Sequence, residues 1–313
     1  MARLPWISAV VLFFGACEPA THTAREGSMA AADSTVLQAA PPDAALEEPP
    51  EPPLRACNGG THLCDRRFDQ VTFATTHNAM ASEAERWLGP NQRFGVPQQL
   101  EHGIRGLMLD VHYGDDGVTW LCHGECAFGS QPLSDGLAEI RRFMVTHPNE
   151  VVTLILESYI SPSALADAFV EAGLVDWTYA HERATPWPTL GALIDQGTRL
   201  VVLSDVRADP MEHAAQLYVW DHAWETHWHA EAPADLSCQP NRGDPKNSLF
   251  ILNHFLTYPI ALPHLAERVN WNPSFADRVE ACTRAGGQRP NFVAVDFYDI
   301  GDLFVVVGAL NAP

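Results

Sequence analysis

Residues 147–158 read HPNEVVTLILES, and the order of residue types in this stretch decides the fold. Pro148 and Asn149 stop a helix predicted over SDGLAEIRRFMVTHP (134–148), in which Leu137, Ile140 and Phe143 stand near helical spacing. EVVTLILES (150–158) is then a continuous apolar run, as expected of a strand covered on both faces in a parallel sheet. It closes on a carboxylate, Glu157.

The same succession recurs along the chain. FDQVTFAT (68–75) reads as a first strand and gives way to His77. GIRGLMLDVH (103–112) is a second strand carrying Asp110. SPSALADAFVEAG (161–173) reads as a helix with Ser161 at its N-cap and Gly173 near its end. TLGALIDQG (189–197) is a short helix feeding the strand TRLVVLSD (198–205), which ends at Asp205. NSLFILNHF (247–255) is a strand ending near Asn253 and His254. PSFADRVEACTRAG (273–286) is a helix, and NFVAVDFYD (291–299) is a strand ending at Asp296 to Asp299. FVVVGALN (304–311) closes the chain as a helix or a short strand.

Apolar strands alternating with helices predict an α/β fold on a mainly parallel sheet. No Gly-rich phosphate loop follows a strand, which disfavours a nucleotide-binding doubly wound fold. His77, Asp110, Glu157, Asp205, His254 and Asp296 all fall at the ends of different strands. Helix capping accounts for one or two such residues. Six together are the pattern of an active site at the C-terminal end of a barrel.

The barrel occupies residues 56–313. Arg3 precedes an apolar run from Leu4 to Ala16, too short for a bilayer-spanning helix and suited to a signal peptide over 1–17. Phe14-Gly15-Ala16-Cys17 resembles a bacterial lipoprotein processing site, which would lipidate Cys17; plain secretion is the alternative. Residues 18–55, with PPDAALEEPPEPP, read as a disordered Ala/Pro/acidic tether. The expected location is outside the cytoplasm, at a bacterial outer membrane or cell surface or free in the medium. Without Cys17 six cysteines remain, an even number that favours disulfides in an exported chain. Local pairs Cys57–Cys64 and Cys122–Cys126 would leave Cys238–Cys282; the sequence does not choose among pairings. The net charge of -20, with 19 basic residues and no basic run, argues against nucleic acid as a partner. A monomer is expected.

Two histidines carry the chemistry. FATTHNAM (73–80) holds His77 and Asn78, and WLCHGEC (120–126) holds His123 between two cysteines. His77 could deprotonate an attacking hydroxyl and His123 could protonate a leaving oxygen, as phosphodiester cleavage requires. A bound cation or an arginine would offset charge on the phosphate. Asn78, Asp110 and Glu157 offer only oxygen ligands, a set suited to Ca²⁺ or, less well, Mg²⁺. The bland readings are a strand-end cap for His77, a cystine-loop passenger for His123, an ion pair for Glu157 and a turn residue for Asp110. Trp220, Trp224 and Trp228 recur at every fourth residue and would form one stripe on a helix; packing in core or loop is the larger expectation, and a lipid- or sugar-facing rim the other.

FATTHNAM, QLEHGIRGLMLDVH (99–112), WLCHGEC, HPNEVVTLILES, PTLGALIDQGTRLVVLSD (188–205), NHFL (253–256) and PNFVAVDFYDIGD (290–302) together resemble the catalytic X region of phosphatidylinositol-specific phospholipase C, and within it the secreted phospholipase C-like phosphodiesterases. The resemblance runs from Cys57 almost to the C-terminus, in family order. It implies an irregular TIM-like (β/α) barrel. It implies His77 as general base toward an inositol hydroxyl, His123 as general acid toward the leaving lipid oxygen, and a cyclic inositol phosphate as first product. It implies a phospholipid or inositol-phosphodiester substrate at a membrane surface. Asp296 is the candidate to orient His77 through its second ring nitrogen.

Asn78, Asp110 and Glu157 match the family's calcium branch, whose Glu-x-Asp pair is broken here by Met108 in the first position. A divalent ion would therefore be held by Asn78, Asp110, Glu157 and water, more weakly. Arg105 is expected to face away from Asp110 and to be structural. Two other readings remain: a glycerophosphodiester- or sphingomyelin-type phosphodiesterase, and a headgroup-binding module with little or no turnover.

Overall fold

The computed structural model describes residues 55–115 and 117–313, which belong to the unit Pro52–Pro313. The signal peptide over 1–17 and, apart from Arg55, the tether over 18–55 lie outside the described residues.

Eleven strands are present among the described residues: β1 Phe73–Thr76, β2 Gly106–Tyr113, β3 Thr119–Leu121, β4 Gln131–Pro132, β5 Val152–Ser158, β6 Leu200–Ser204, β7 Gln216–Tyr218, β8 Ala223–Thr226, β9 Pro240–Gly243, β10 Leu249–Asn253 and β11 Phe292–Val295. They form one sheet in the order β7-β6-β5-β2-β1-β11-β10-β8-β9, with β3 and β4 added beside β2. The pairs from β7 through to β8 are parallel; β8–β9, β2–β3 and β3–β4 are antiparallel. β7 and β9 do not pair with each other. The sheet is thus an open, curled half-barrel surrounded by helices, the irregular member of the barrel class.

Side chains alternate across each strand, and the alternation sorts them into two cores. Phe73, Ile155, Val201, Leu203, Ile251 and Phe292 pack into the concave interior. Ala74, Leu107, Leu109, Leu154, Val202, Leu252 and Val293 face the helix layer. On β2 the two inward positions Met108 and Asp110 alternate with outward Leu107 and Leu109, so Asp110 stands above Met108 on the concave face. Gly106 begins this strand because a Cβ there would lie 2.3 Å from Thr75 Oγ1.

The helices lie close to their sequence readings. Leu133–Thr146 ends before Pro148. Pro162–Glu171 is capped by Ser161, whose Oγ accepts from Ala164 N at 3.2 Å. Leu303–Leu310 is helical, which settles the two readings of the C-terminal segment. The first strand is shorter than FDQVTFAT: Phe68–Gln70 is a 3-10 turn, because Phe68 tucks beneath the interior against Phe73 and Trp187, at 5.2 and 4.8 Å between ring centres. The three tryptophans do not share a helix. Trp220 is in the single turn Val219–His222, Trp224 is fully buried in β8, and Trp228 is half exposed in the loop beyond. The ladder of β8 with β10, Ala223 opposite Leu249, takes the backbone that a helix would have used.

Among the described residues three disulfides are present, Cys57–Cys64, Cys122–Cys126 and Cys238–Cys282. No helix among the described residues is long and apolar enough to cross a membrane.

Candidate active site

The C-terminal ends of the strands open into a cavity of about 690 Å³, lined by His77, Asn78, Asp110, His123 and Glu157 among others. Five of the six sequence-selected site residues thus face one space; Asp296 lies behind it, against His77.

His77 follows β1, and its N–H donates to Val295 O at 3.0 Å, tying it to the end of β11. Its Nδ1 lies 2.9 Å from Asp296 Oδ1. A carboxylate can only accept, so Nδ1 carries the hydrogen and Nε2 keeps its lone pair for the cavity. The ring is stacked on Phe255 at 3.8 Å and 5°. Asp296 is in turn held by Asn91, whose Nδ2 donates to Oδ1 at 3.0 Å. Gln92 Nε2 donates to His77 O at 2.8 Å and to Val295 O at 3.1 Å, fastening the two strand ends together. Asn78 has φ 44, a left-handed conformation that asparagine tolerates better than most residues. Its Nδ2 donates to Asn91 Oδ1 at 3.4 Å, and its own Oδ1 makes no hydrogen bond to the described residues.

His123 sits in the five-residue loop closed by Cys122–Cys126, and Cys122 N donates to Asp110 O at 3.2 Å. The His77 and His123 ring centres are 6.5 Å apart. Crowding by the cavity wall, then the neighbouring His77, holds the His123 imidazole below its ordinary 6.5, with Asp296 and Glu157 opposing.

The acidic side of the cavity comes from adjacent parallel strands. Asp110 stands directly opposite Glu157 in the β2–β5 register. Burial, then Glu157, pushes the Asp110 carboxyl up from 3.8 to about 7, while His77 opposes and Asp205 adds to the rise. Asp205 follows β6 and accepts from Ser158 N at 2.8 Å; burial raises it too. The Tyr159 hydroxyl donates to Glu157 Oε1, and this carboxylate holds the phenol proton above its ordinary range. Among the described residues no three His, Cys, Asp or Glu side chains converge as a metal site. The oxygen set is two carboxylates and one amide, with Met108 beneath Asp110 on the same face.

Sequence reasoning missed other parts of the cavity wall. Glu225 on β8 is 1 % exposed and accepts from Arg242 Nε at 2.5 Å, Asn241 Nδ2 at 3.0 Å and Asn253 Nδ2 at 2.9 Å. Arg242 lies over the Trp220 ring at 4.5 Å and lines the cavity. Asn91, Gln92 and Phe255 were also missed. Asn91 and Gln92 lie in GPNQRFG, a loop with no periodicity to mark them as buried.

His254 does not join the site. It is 2 % exposed, its Nε2 donates to Val269 O at 2.9 Å, and its Nδ1 meets Arg278 at 3.0 Å in the helix layer. Arg105 is structural, as expected: Nε donates to Glu150 at 2.7 Å and the guanidinium lies over Phe143 at 4.8 Å.

The family and the fold are shared with known proteins. A family model described as PI-PLC X matches residues 63–311. A PI-PLC X domain-containing protein of Arabidopsis thaliana is 33% identical over 275 residues, 79% of this chain and 63% of that protein. PI-PLC X domain-containing protein 1 of Arthroderma benhamiae is 30% identical over 277 residues, 82% of this chain and 89% of that protein. The chain thus spans somewhat under two thirds of the plant relative's length and most of the fungal one's. The fold is similar to phosphatidylinositol-specific phospholipase C of Staphylococcus aureus, with TM-score 0.57 and 11% identity, covering 80% of this chain and 95% of that one.

Proposed function

The chain belongs to the PI-PLC X family, and from that premise we propose that it is a phosphodiesterase of the phospholipase C type that cleaves a phospholipid headgroup by general acid–base catalysis. The observation that carries the reading is His77, pinned through Nδ1 to Asp296 at 2.9 Å with its other nitrogen directed to a cavity that also holds His123. His77 Nε2 takes the proton of a headgroup hydroxyl adjacent to the phosphate. That oxygen attacks phosphorus, the bond to the glycerol oxygen breaks, and His123 donates a proton to the departing oxygen. The first product is a cyclic phosphodiester of the headgroup. Attack from within the substrate avoids the entropic cost of ordering a water. Asp296 holds the His77 tautomer and stabilises the imidazolium that forms.

Asn78, Asp110 and Glu157 are proposed to hold a divalent cation, with Ca²⁺ the better fit. The donors are hard oxygens, and Asp110 and Glu157 stand opposite each other in register, so ionising the buried Asp110 beside Glu157 meets desolvation and like-charge repulsion that a cation would relieve. When bound, the ion would neutralise charge on the phosphate oxygens and acidify the attacking hydroxyl. Met108 contributes a soft thioether where a third carboxylate would strengthen the site, so affinity is low. The protein is proposed to act outside the cytoplasm, as its three disulfides support.

Phosphorus NMR of vesicles containing phosphatidylinositol or phosphatidylcholine, in EDTA and then in Ca²⁺, tests the reading. A cyclic inositol phosphate that appears with Ca²⁺ is expected. An open-chain phosphate as first product, or a cyclised lipid phosphate, would overturn the headgroup attack. Full activity in excess chelator would remove the cation from the scheme.

A further inference from the structure

The opposite end of the sheet carries a second cavity, of about 510 Å³. Arg67 and Asp69 precede β1, His181 and Arg183 precede β6, Asp221 and His222 precede β8, and Lys246 precedes β10. These strands are parallel, so the cavity lies at their N-terminal ends, away from His77. It concentrates positive charge in a chain of net charge -20: Arg67, Arg183 and Lys246 against Asp69 and Asp221. Lys246 is the sole lysine of the sequence.

The charges do not cancel. Asp69 satisfies Arg67, with Nε at 3.0 Å and Nη2 at 3.2 Å. Asp221 accepts two bonds from Arg207, at 2.5 and 3.0 Å, and Arg183 reaches the same carboxylate only at 3.4 Å. The Lys246 ammonium has no carboxylate partner among the described residues. A second observation is independent of charge. His222 is 8 % exposed, and neither ring nitrogen makes a hydrogen bond to the described residues. Neither nitrogen is sealed off by protein, so both stay open to the cavity that His222 lines. Its ring is fixed edge-on to Trp187 and His181, and His181 is itself stacked on Trp187 at 3.8 Å.

We propose that this cavity binds a small phosphate-bearing anion, with Lys246, Arg183 and the His222 and His181 rings donating to its oxygens. An ammonium, a guanidinium and two imidazoles supply donors from several directions, which suits a tetrahedral oxyanion better than a planar carboxylate. Arg183, already drawn weakly to a shared carboxylate, needs little reorganisation to turn toward the ligand.

The single lysine makes the test site-specific. The full chain is labelled with carbon-13 lysine, giving one side-chain signal, and inorganic phosphate is titrated at constant ionic strength with chloride and acetate as comparators. A saturable shift with phosphate is expected, tighter than with acetate, and unchanged in His77→Ala because the catalytic cavity is at the other end. Arg183→Ala, a substitution at an exposed side chain, should weaken phosphate about tenfold, the loss of one charge-assisted hydrogen bond. A shift linear in phosphate and matched by chloride, equal affinity for acetate, or full affinity in Arg183→Ala would overturn the proposal.

Discussion

Asp110→Asn is expected to stabilise the metal-free protein, and to do so only on the alkaline side. Asp110 is 9 % exposed and faces Glu157 in register, so its ionisation meets both desolvation and a like charge. Its carboxyl rises from 3.8 to about 7 in the folded protein. The folded state therefore holds the proton more tightly than the unfolded chain. The contribution to stability is full below about pH 4, declines as pH rises, and is lost above about pH 7. At about 1.36 kcal/mol per pKa unit, ionised Asp110 costs up to about 4 kcal/mol at pH 8. Relaxation of the cavity and entering water reduce this to about 1–3 kcal/mol in practice. Asparagine keeps the shape and removes the charge. Urea unfolding of wild type and Asp110→Asn, with disulfides intact and chelator present, should show little difference at pH 4 and a more stable variant at pH 8. A stability difference that is the same at both pH values would refute the reasoning, as would a variant less stable than wild type at pH 8. Millimolar Ca²⁺ at pH 8 should then stabilise wild type more than the variant. Equal stabilisation of both would detach Asp110 from the proposed cation site.

Asp296→Asn should lower kcat by about 10²–10⁴-fold with the fold retained, because the amide no longer fixes the His77 tautomer; loss of a downfield His77 Nδ1–H proton signal checks that the cause is orientation. His123 must be protonated to act as acid and is held below 6.5, so kcat/KM should fall as pH rises through a value under 6.5, and a substrate with a good leaving group should lose that dependence. Replacing both Cys122 and Cys126 by serine frees the loop that presents His123; kcat should drop about tenfold or more with circular dichroism unchanged, and an unaltered kcat would show that the loop is held by other contacts.

How far the site was legible from sequence comes down to one geometric rule. On the strands of this sheet the concave face takes alternate residues: Phe73, Thr75 and His77; Met108 and Asp110; Ile155 and Glu157; Leu203 and Asp205; Phe292, Ala294 and Asp296. Each series is apolar at its lower end and polar at the rim, so an apolar strand with a polar successor two positions on could be read directly. His254 was misread because its position at a strand end was counted and its parity was not. Ile251 faces inward, so Asn253 and Phe255 do too, and His254 must point into the helices. The same rule applied to Ala223 selects Glu225, but HAWETH shows no apolar run, and the strand carrying it was invisible. Its partner Arg242 sits on the antiparallel strand β9, outside any repeating βα unit. Asn91 and Gln92 obey no period; they are buried because the loop holding them folds over the ends of β1 and β11, a tertiary fact without a local cause. Met108 belongs with the readable part. Parity puts its thioether on the cavity side beneath Asp110, so the single side chain that would weaken the proposed cation site stands on a strand whose direction the alternation already fixes.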